Sequence, residues 1–166
     1  MSERWDLVDG DRQPLHQTHV RGEPLPTGAY HTVIEVFTFD VNGDVLLSQR
    51  HPEKTYPLLW EGTGGSILAG ETSLGGAVRE LYEEIGLRVA PEQLNSVATL
   101  RRDTYFLDIY RYQSDLPLQP KDLVLQEDEV VAVRLVDWST FMAMEDVVPS
   151  VRERMLRFES VLRPVL

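Results

Sequence analysis

Apolar positions along this chain come in short runs with two different periods. Tyr30 to Val41 is rich in Val, Ile, Phe and Thr, the mark of a buried strand. Asn42-Gly43 is a tight-turn pair, and Val45 to Ser48 returns as a second strand, so the two predict a hairpin. Trp5 to Val8 is strand-like and closes on the turn signal Asp9-Gly10-Asp11. Val97 to Tyr112 reads as two strands with the turn between them unplaced, and Val130 to Trp138 as another. The period changes over Thr72 to Ile85, where Leu74, Ala77, Val78, Leu81 and Ile85 share one stripe at about 100° per residue. That segment predicts a helix, with Gly86 placed to end it in the left-handed conformation. Val151, Met155, Phe158 and Leu162 predict a second helix over Pro149 to Leu162. Gly22 to Gly28, with Pro24 and Pro26, reads as an extended arm, His51 to Pro57 as a polar loop, and Leu116 to Asp128 as an acidic loop. Strands before, between and after helices predict an α/β (α+β) fold with helices packed on a mixed sheet. No internal repeat or boundary divides it, so residues 1–166 are expected to form one domain, a length sufficient for a real core.

Composition removes several classes of chemistry. The chain has no Cys, which excludes a disulfide scaffold, a thiolate zinc site and a cysteine nucleophile. Met1 to Asp6 shows no apolar leader region, and no run of about 18 apolar residues occurs. The expectation is a cytoplasmic protein without a membrane span. The formal net charge of −11 repels nucleic-acid phosphates, so no nucleic-acid partner is expected. Small phosphate substrates stay allowed, because a bound cation inverts the local field.

The polar face of the first helix carries the candidate chemistry. Glu80, Glu83 and Glu84 occupy an arc roughly 100° wide, at i, i+3 and i+4. Like charges at this spacing cost a few tenths of a kcal/mol on a bare helix. A divalent cation would turn that repulsion into a binding site, and Mg²⁺ favours a few carboxylates together with water and substrate phosphate. An acidic triplet on a helix is by itself more often a solvated face. The residues around it change that balance.

Gly65 to Leu87 reads GSILAGETSLGGAVRELYEEIGL. Gly65, Glu71, Arg79, Glu80, Leu81, Glu83, Glu84, Gly86 and Leu87 fill every specified position of the pattern G-x5-E-x7-R-E-U-x-E-E-x-G-U, with U aliphatic. Seven fixed residues, each at roughly 5–10% usage, give a chance match near ~10⁻⁸ per position. The segment resembles the box of the Nudix hydrolase family. Thr63-Gly64-Gly65 ahead of it, together with Trp5 to Asp9, Arg21-Gly22 and Tyr30-His31, looks like the isopentenyl-diphosphate-isomerase-like branch. The isomerases use a catalytic Cys that this chain lacks, so the hydrolases of that branch match better.

The resemblance implies an α/β/α sandwich with the box as loop–helix–loop, and a pyrophosphohydrolase using Mg²⁺ or Mn²⁺. Its substrate would be a nucleoside diphosphate derivative or related small diphosphate, cleaved by water attack at phosphorus. The metal ligands carried over are Glu80, Glu83, Glu84 and the backbone carbonyl of Gly64. Glu71 would help hold the metal through water or orient the site, and Arg79 would orient box carboxylates. The base would be a box glutamate, with Glu83 first, or a downstream one, Glu127 or Glu129. The protein is expected to be a monomer or homodimer. A ligand-sensing module that does not hydrolyse and an RNA-processing enzyme are the competing readings, opposed respectively by the complete box and by the acidic surface.

Other residues are more ambiguous. Gly75 and Gly76 weaken a helix interior, and Gly76, on the side of Glu80 and Glu83, could admit substrate or backbone closely. Arg50 reads first as a surface arginine and second as a phosphate contact. Trp60, Tyr105, Phe106 and Tyr110 could offer a stacking face for a base, although strand aromatics are more often core. His16, His19, His31 and His51 lack metal spacing. Specificity is expected from the loops Arg50 to Trp60 and Leu116 to Asp128.

Overall fold

In the computed structural model, which describes residues 2–163, the long apolar run becomes the central strand β3 (His31–Phe39). Ahead of it, β1 (Arg4–Val8) and β2 (Pro14–Val20) form a separate antiparallel hairpin. Its turn is closed by Asp9, whose carboxylate accepts from the amides of Asp11 and Gln13. β2 has no sequence signature, because only His19 of its seven residues is buried.

The predicted hairpin forms between β3 and β4 (Val45–Arg50), with Phe39 opposite Val45. Next come two short strands, β5 (Trp60–Glu61) and β6 (Thr63–Ser66), then α1 (Ser73–Ile85). The unplaced turn falls at Arg102 to Thr104, between β7 (Leu94–Arg101) and β8 (Tyr105–Gln113). β9 (Val130–Val136), α2 (Trp138–Ala143), α3 (Pro149–Arg157) and α4 (Glu159–Leu162) complete the described chain. The single helix expected over Pro149 to Leu162 is two. Phe158 leaves the helical region at φ −107, ψ 19, and Leu162 still reaches the core.

β8 runs parallel to β3, and the other pairings of the large sheet are antiparallel, so that sheet is mixed. Alternation along β3 assigns its two faces. Ile34 and Val36 pack with Ala77, Leu81 and Ile85 of α1, whereas Phe37 and Phe39 pack with Phe141, Val151, Met155 and Leu162. The result is helix, sheet, helix, as expected.

One pairing change positions the site. On the edge away from β8, β3 pairs with β6 from Val33 to Val36 and with β4 at Thr38 and Phe39. The strand edge therefore parts, and the clefts described next are lined by β6, the end of β4 and the turn that leads into β9.

Candidate active site

The helix that carries the carboxylates is fixed at both ends. The Thr72 hydroxyl accepts from the Gly75 amide at 3.0 Å, an N-cap. At the other end Gly86 adopts φ 71, and the Gly86 and Leu87 amides bond to the Tyr82 and Leu81 carbonyls. Ala77, Leu81 and Ile85 are buried, and Leu74 and Val78 are partly buried on the same stripe. The acidic loop closes over the C-terminal half of the helix, where Gln126 and Val124 donate their amides to the Glu84 and Ile85 carbonyls.

Arg79 organises the acidic face. Its guanidinium donates to Glu71 at 2.6 Å, Glu80 at 2.9 Å, Glu83 at 3.0 Å and the Ser66 carbonyl at 3.1 Å. Glu71 also accepts from the Leu68 amide at 2.9 Å. Burial pushes the Glu71 carboxyl up, but these bonds outweigh it and leave its pKa below the ordinary value. Arg79 is likewise opposed by burial and raised by its carboxylates, so it stays charged.

Glu80, Glu83, Glu84 and Glu129 line one cleft of about 180 Å³, together with Gly64, Gly65 and Lys54. Burial lifts the Glu80 carboxyl to about 7 against the pull of Arg79. Burial, with Glu80 next, lifts Glu84 well above its ordinary value. Glu83 is the exposed member of the three, with 48% of its side chain accessible. Among the described residues no three His, Asp or Glu side chains already surround a common point. The expected ligand set is thus gathered in one cleft without forming a closed cage, and the Arg79 guanidinium ties Glu80 to Glu83.

The donor chemistry fits Mg²⁺ or Mn²⁺. Carboxylates and a backbone segment dominate the cleft, and neither sulfur nor imidazole lines it. Carboxylates whose pKa burial has raised are also groups that a cation would stabilise in the ionised form.

Of the two downstream glutamates, Glu129 lines this cleft and is ion-paired with Lys54. Glu127 is exposed and lines none of the clefts described. The space beside Gly76 goes to the protein itself: a Cβ there would lie 2.2 Å from Ile67 Cδ1. Trp60 and Phe106 are buried in the core, and Tyr110 is bonded to Ser73. Tyr105 alone of the four aromatics faces a cleft. Arg50 is no ordinary surface arginine. It donates to both oxygens of Glu61 at 2.8 Å, with 16% of its side chain accessible.

A second cleft, about 170 Å³, shares Val33, Lys54, Gly64 and Gly65 with the first. Glu35, Glu61, Arg50, Arg154 and Tyr105 line it. Sequence reasoning passed over Glu35, although a lone carboxylate within Val33-Ile34-Glu35-Val36-Phe37 is itself a signal. Arg154 Nε donates to Glu35 Oε2 at 2.5 Å, and burial lifts the Glu35 carboxyl to about 7 against that pull.

A sandwich whose parted sheet edge faces a capped acidic helix defines a class, and the comparisons name it. Residues 29–158 match the model of the NUDIX domain. The chain belongs to the Nudix family and is a Nudix hydrolase, a pyrophosphohydrolase. It is 35% identical over 136 residues to an uncharacterized Nudix hydrolase of Listeria innocua, covering 81% of this chain and 79% of that one. An isopentenyl-diphosphate Delta-isomerase of Pectobacterium atrosepticum is 40% identical over 91 residues, 51% of this chain and 48% of its own. The NUDIX domain of Shewanella oneidensis NrtR, solved with ADP ribose, superposes with a TM-score of 0.65 at 18% identity, covering 84% of this chain and 93% of that one. No helix among the described residues is long and apolar enough to cross a membrane.

Proposed function

We propose that this protein is a divalent-metal-dependent hydrolase of a diphosphate linkage in a nucleoside diphosphate derivative or related small diphosphate. The observation that carries this reading is one cleft collecting Glu80, Glu83, Glu84 and Glu129 against Gly64 and Gly65. Glu80, Glu83, Glu84 and the Gly64 carbonyl would hold Mg²⁺ or Mn²⁺. The chemistry such an ion supplies when bound is neutralisation of diphosphate charge and acidification of water.

Glu83 accepts the proton of the attacking water, because it is the exposed box carboxylate and Arg79 fixes its direction. Glu129 is the second candidate base, and it serves only if Lys54 is drawn away from it. Lys54 lines both clefts, where its ammonium would meet substrate phosphate once drawn from Glu129. Arg79 and Glu71 are positioning residues that act through the box carboxylates. Residues 1–166 are read as one catalytic domain, a span that runs beyond the described residues at both ends. The partner is a small molecule, the protein a monomer or homodimer, and the location cytoplasmic.

A chromatographic screen for the phosphomonoester products of nucleotide sugars, dinucleotides, nucleotides and isoprenoid diphosphates, with Mg²⁺ and with Mn²⁺, tests this. Turnover abolished by chelation and by Glu83→Gln is the expected result. Turnover of nothing, or turnover indifferent to Glu83→Gln, would overturn it. Isomerisation of isopentenyl diphosphate is the second reading, favoured by the likeness to the Pectobacterium isomerase and opposed by the absence of Cys.

A further inference from the structure

The loop that presents Glu71 is held by a distant part of the chain. Each backbone amide from Ile67 to Glu71 has an acceptor. Ile67 donates to the Thr32 carbonyl at 2.9 Å, and Glu71 to the Leu68 carbonyl at 3.0 Å. Leu68 donates to the Glu71 carboxylate at 2.9 Å. The other two amides go to the N-terminal hairpin. Ala69 donates to the Arg4 carbonyl and Gly70 to Asp6 Oδ2, each at 2.8 Å. Gly70 has φ 84, a region that glycine enters freely, so the residue lends the loop no stiffness of its own. Strand β1 supplies that constraint from outside.

The turn of the same hairpin is fastened on the far side of Glu71. The Arg12 guanidinium forks onto both carboxylate oxygens of Asp108 on β8. Asp108 also accepts from Ser73 Oγ at 2.5 Å and from Thr99 Oγ1 at 2.7 Å. Burial pushes the Asp108 carboxyl up, but the bonds from Arg12, Ser73 and Thr99 outweigh it and hold its pKa below the ordinary value. Arg12 has φ 64, a conformation that a residue other than glycine keeps only where its surroundings fix it. Ser73 opens α1. The hairpin therefore grips the chain at Gly70, just before Glu71, and through Asp108 at Ser73, just after it. Between hairpin and loop lies a cavity of about 150 Å³, bordered by Asp6, Val8, Arg12, Leu68, Glu71 and Ser73. Bonds rather than close packing hold the loop there.

We propose that Asp6 and Arg12 are positioning residues for the hydrolysis, and that the N-terminal hairpin is a clamp on the Glu71 loop. Clamped, Glu71 turns both carboxylate oxygens to Arg79, which donates to them at 2.6 and 3.1 Å. With that side of the guanidinium fixed, its Nη1 points at Glu80 and Glu83. Released from the clamp, Glu71 swings with its loop, and Arg79 loses the anchor that aims it. This role rests on the proposed part of Glu80 and Glu83 in the reaction. It makes that reaction depend on a strand 64 residues ahead of the loop.

Steady-state kinetics of the full-length protein with Mg²⁺, on the diphosphate that the screen above turns over fastest, test the clamp. Asp6 is exposed, so Asp6→Ala removes one bond and little packing. It is expected to lower kcat about tenfold with KM held within about twofold. Its melting temperature is expected to stay within about two degrees of wild type. Asp6→Asn keeps an oxygen that accepts the Gly70 amide and is expected to recover most of kcat. In a Glu71→Ala background, Asp6→Ala is expected to change kcat no further, because the group it acts through is gone. Arg12→Met breaks a largely buried pair and is expected to lower the melting temperature as well as kcat. Its kcat loss is expected to disappear in the same background.

Losses that multiply with that of Glu71→Ala would overturn the clamp, since Asp6 and Arg12 would then act by another route. So would unchanged kcat in Asp6→Ala, or a loss that Asp6→Asn does not relieve. If wild type hydrolyses none of the substrates, the proposed function fails on its own. Hydrogen exchange at Arg79 Nε, followed by NMR, then decides the clamp. Faster exchange in Asp6→Ala than in wild type supports it, and equal exchange overturns it.

Discussion

Gly65 and Glu80 approach so closely that a Cβ on Gly65 would sit 2.2 Å from Glu80 Oε1. The strand leading into the box and the helix of the box share that space. Gly65 has no positive φ, so alanine is compatible with its backbone. The strain of Gly65→Ala would fall on the movable end of Glu80. A displacement of about 1 Å at a catalytic group can cost about 10²-fold in rate. Gly65→Ala is therefore expected to lower kcat/KM about 100-fold while holding stability within about 1 kcal/mol of wild type. Paired kinetics and denaturant melts check this, and full activity would show that Glu80 position is not critical.

Gly76→Ala has the opposite profile. Alanine gains about 1 kcal/mol of helix propensity over glycine. Here its Cβ would meet Ile67 Cδ1 at 2.2 Å, inside the core that joins α1 to the sheet. Overpacking of that kind costs about 1–3 kcal/mol. The expected net loss is about 1 kcal/mol in urea unfolding, recovered when Ile67→Val removes the clashing methyl. A double mutant no more stable than Gly76→Ala would refute the packing explanation.

Metal affinity should follow the protonation of the buried carboxylates. Burial holds Glu80 at about 7 and Glu84 well above its ordinary value. A metal ligand must be deprotonated, so protons compete with the ion as pH falls through neutrality. Mn²⁺ titrated calorimetrically is expected to bind at least about fivefold more weakly at pH 6 than at pH 8. The same affinity at both would place the ion elsewhere.

Acid stability turns on a different residue. His31 stacks on Trp5 at 4.0 Å, with Nδ1 buried and unpartnered. Burial first, then the charges of His19 and Arg21, lower its pKa to about 4. The unfolded chain takes up a proton below 6.5 that native His31 refuses. Its contribution to stability is present above pH 6.5 and is lost as pH falls toward 4. His31→Phe keeps a ring on Trp5 and removes the titration. The fall in melting temperature between pH 7 and pH 5 should shrink by about a few degrees. An unchanged fall would assign the acid sensitivity to other groups.

Legibility in the sequence tracked apolar contrast. β3 and the hairpin to β4 were readable because their apolar runs end at Asn42-Gly43. The α1 stripe was readable because Ala77, Leu81 and Ile85 recur at helical spacing. β2, β5 and β6 were not readable. β2 buries only His19, and β6 holds two glycines and is a strand only because β3 supplies its partners. Lys54, Arg154 and Glu61 gave no signal for a related reason: a charged residue looks the same in sequence whether it is solvated or paired across a cleft.

The sequence by itself determined the capped helix, the order of Arg79, Glu80, Glu83 and Glu84 on it with Glu71 just ahead of it, and the alternation that makes β3 a two-faced core strand. These depend on neighbours within a few positions. Only the tertiary structure decided that Arg79 also reaches Glu71 and the Ser66 carbonyl, that Glu129 and not Glu127 reaches the cleft, and that Glu35 faces Arg154 across 119 residues. The clefts that Glu129 and Glu35 line open where β3 exchanges β6 for β4 along one edge, and local periodicity contains no record of which strand edges meet.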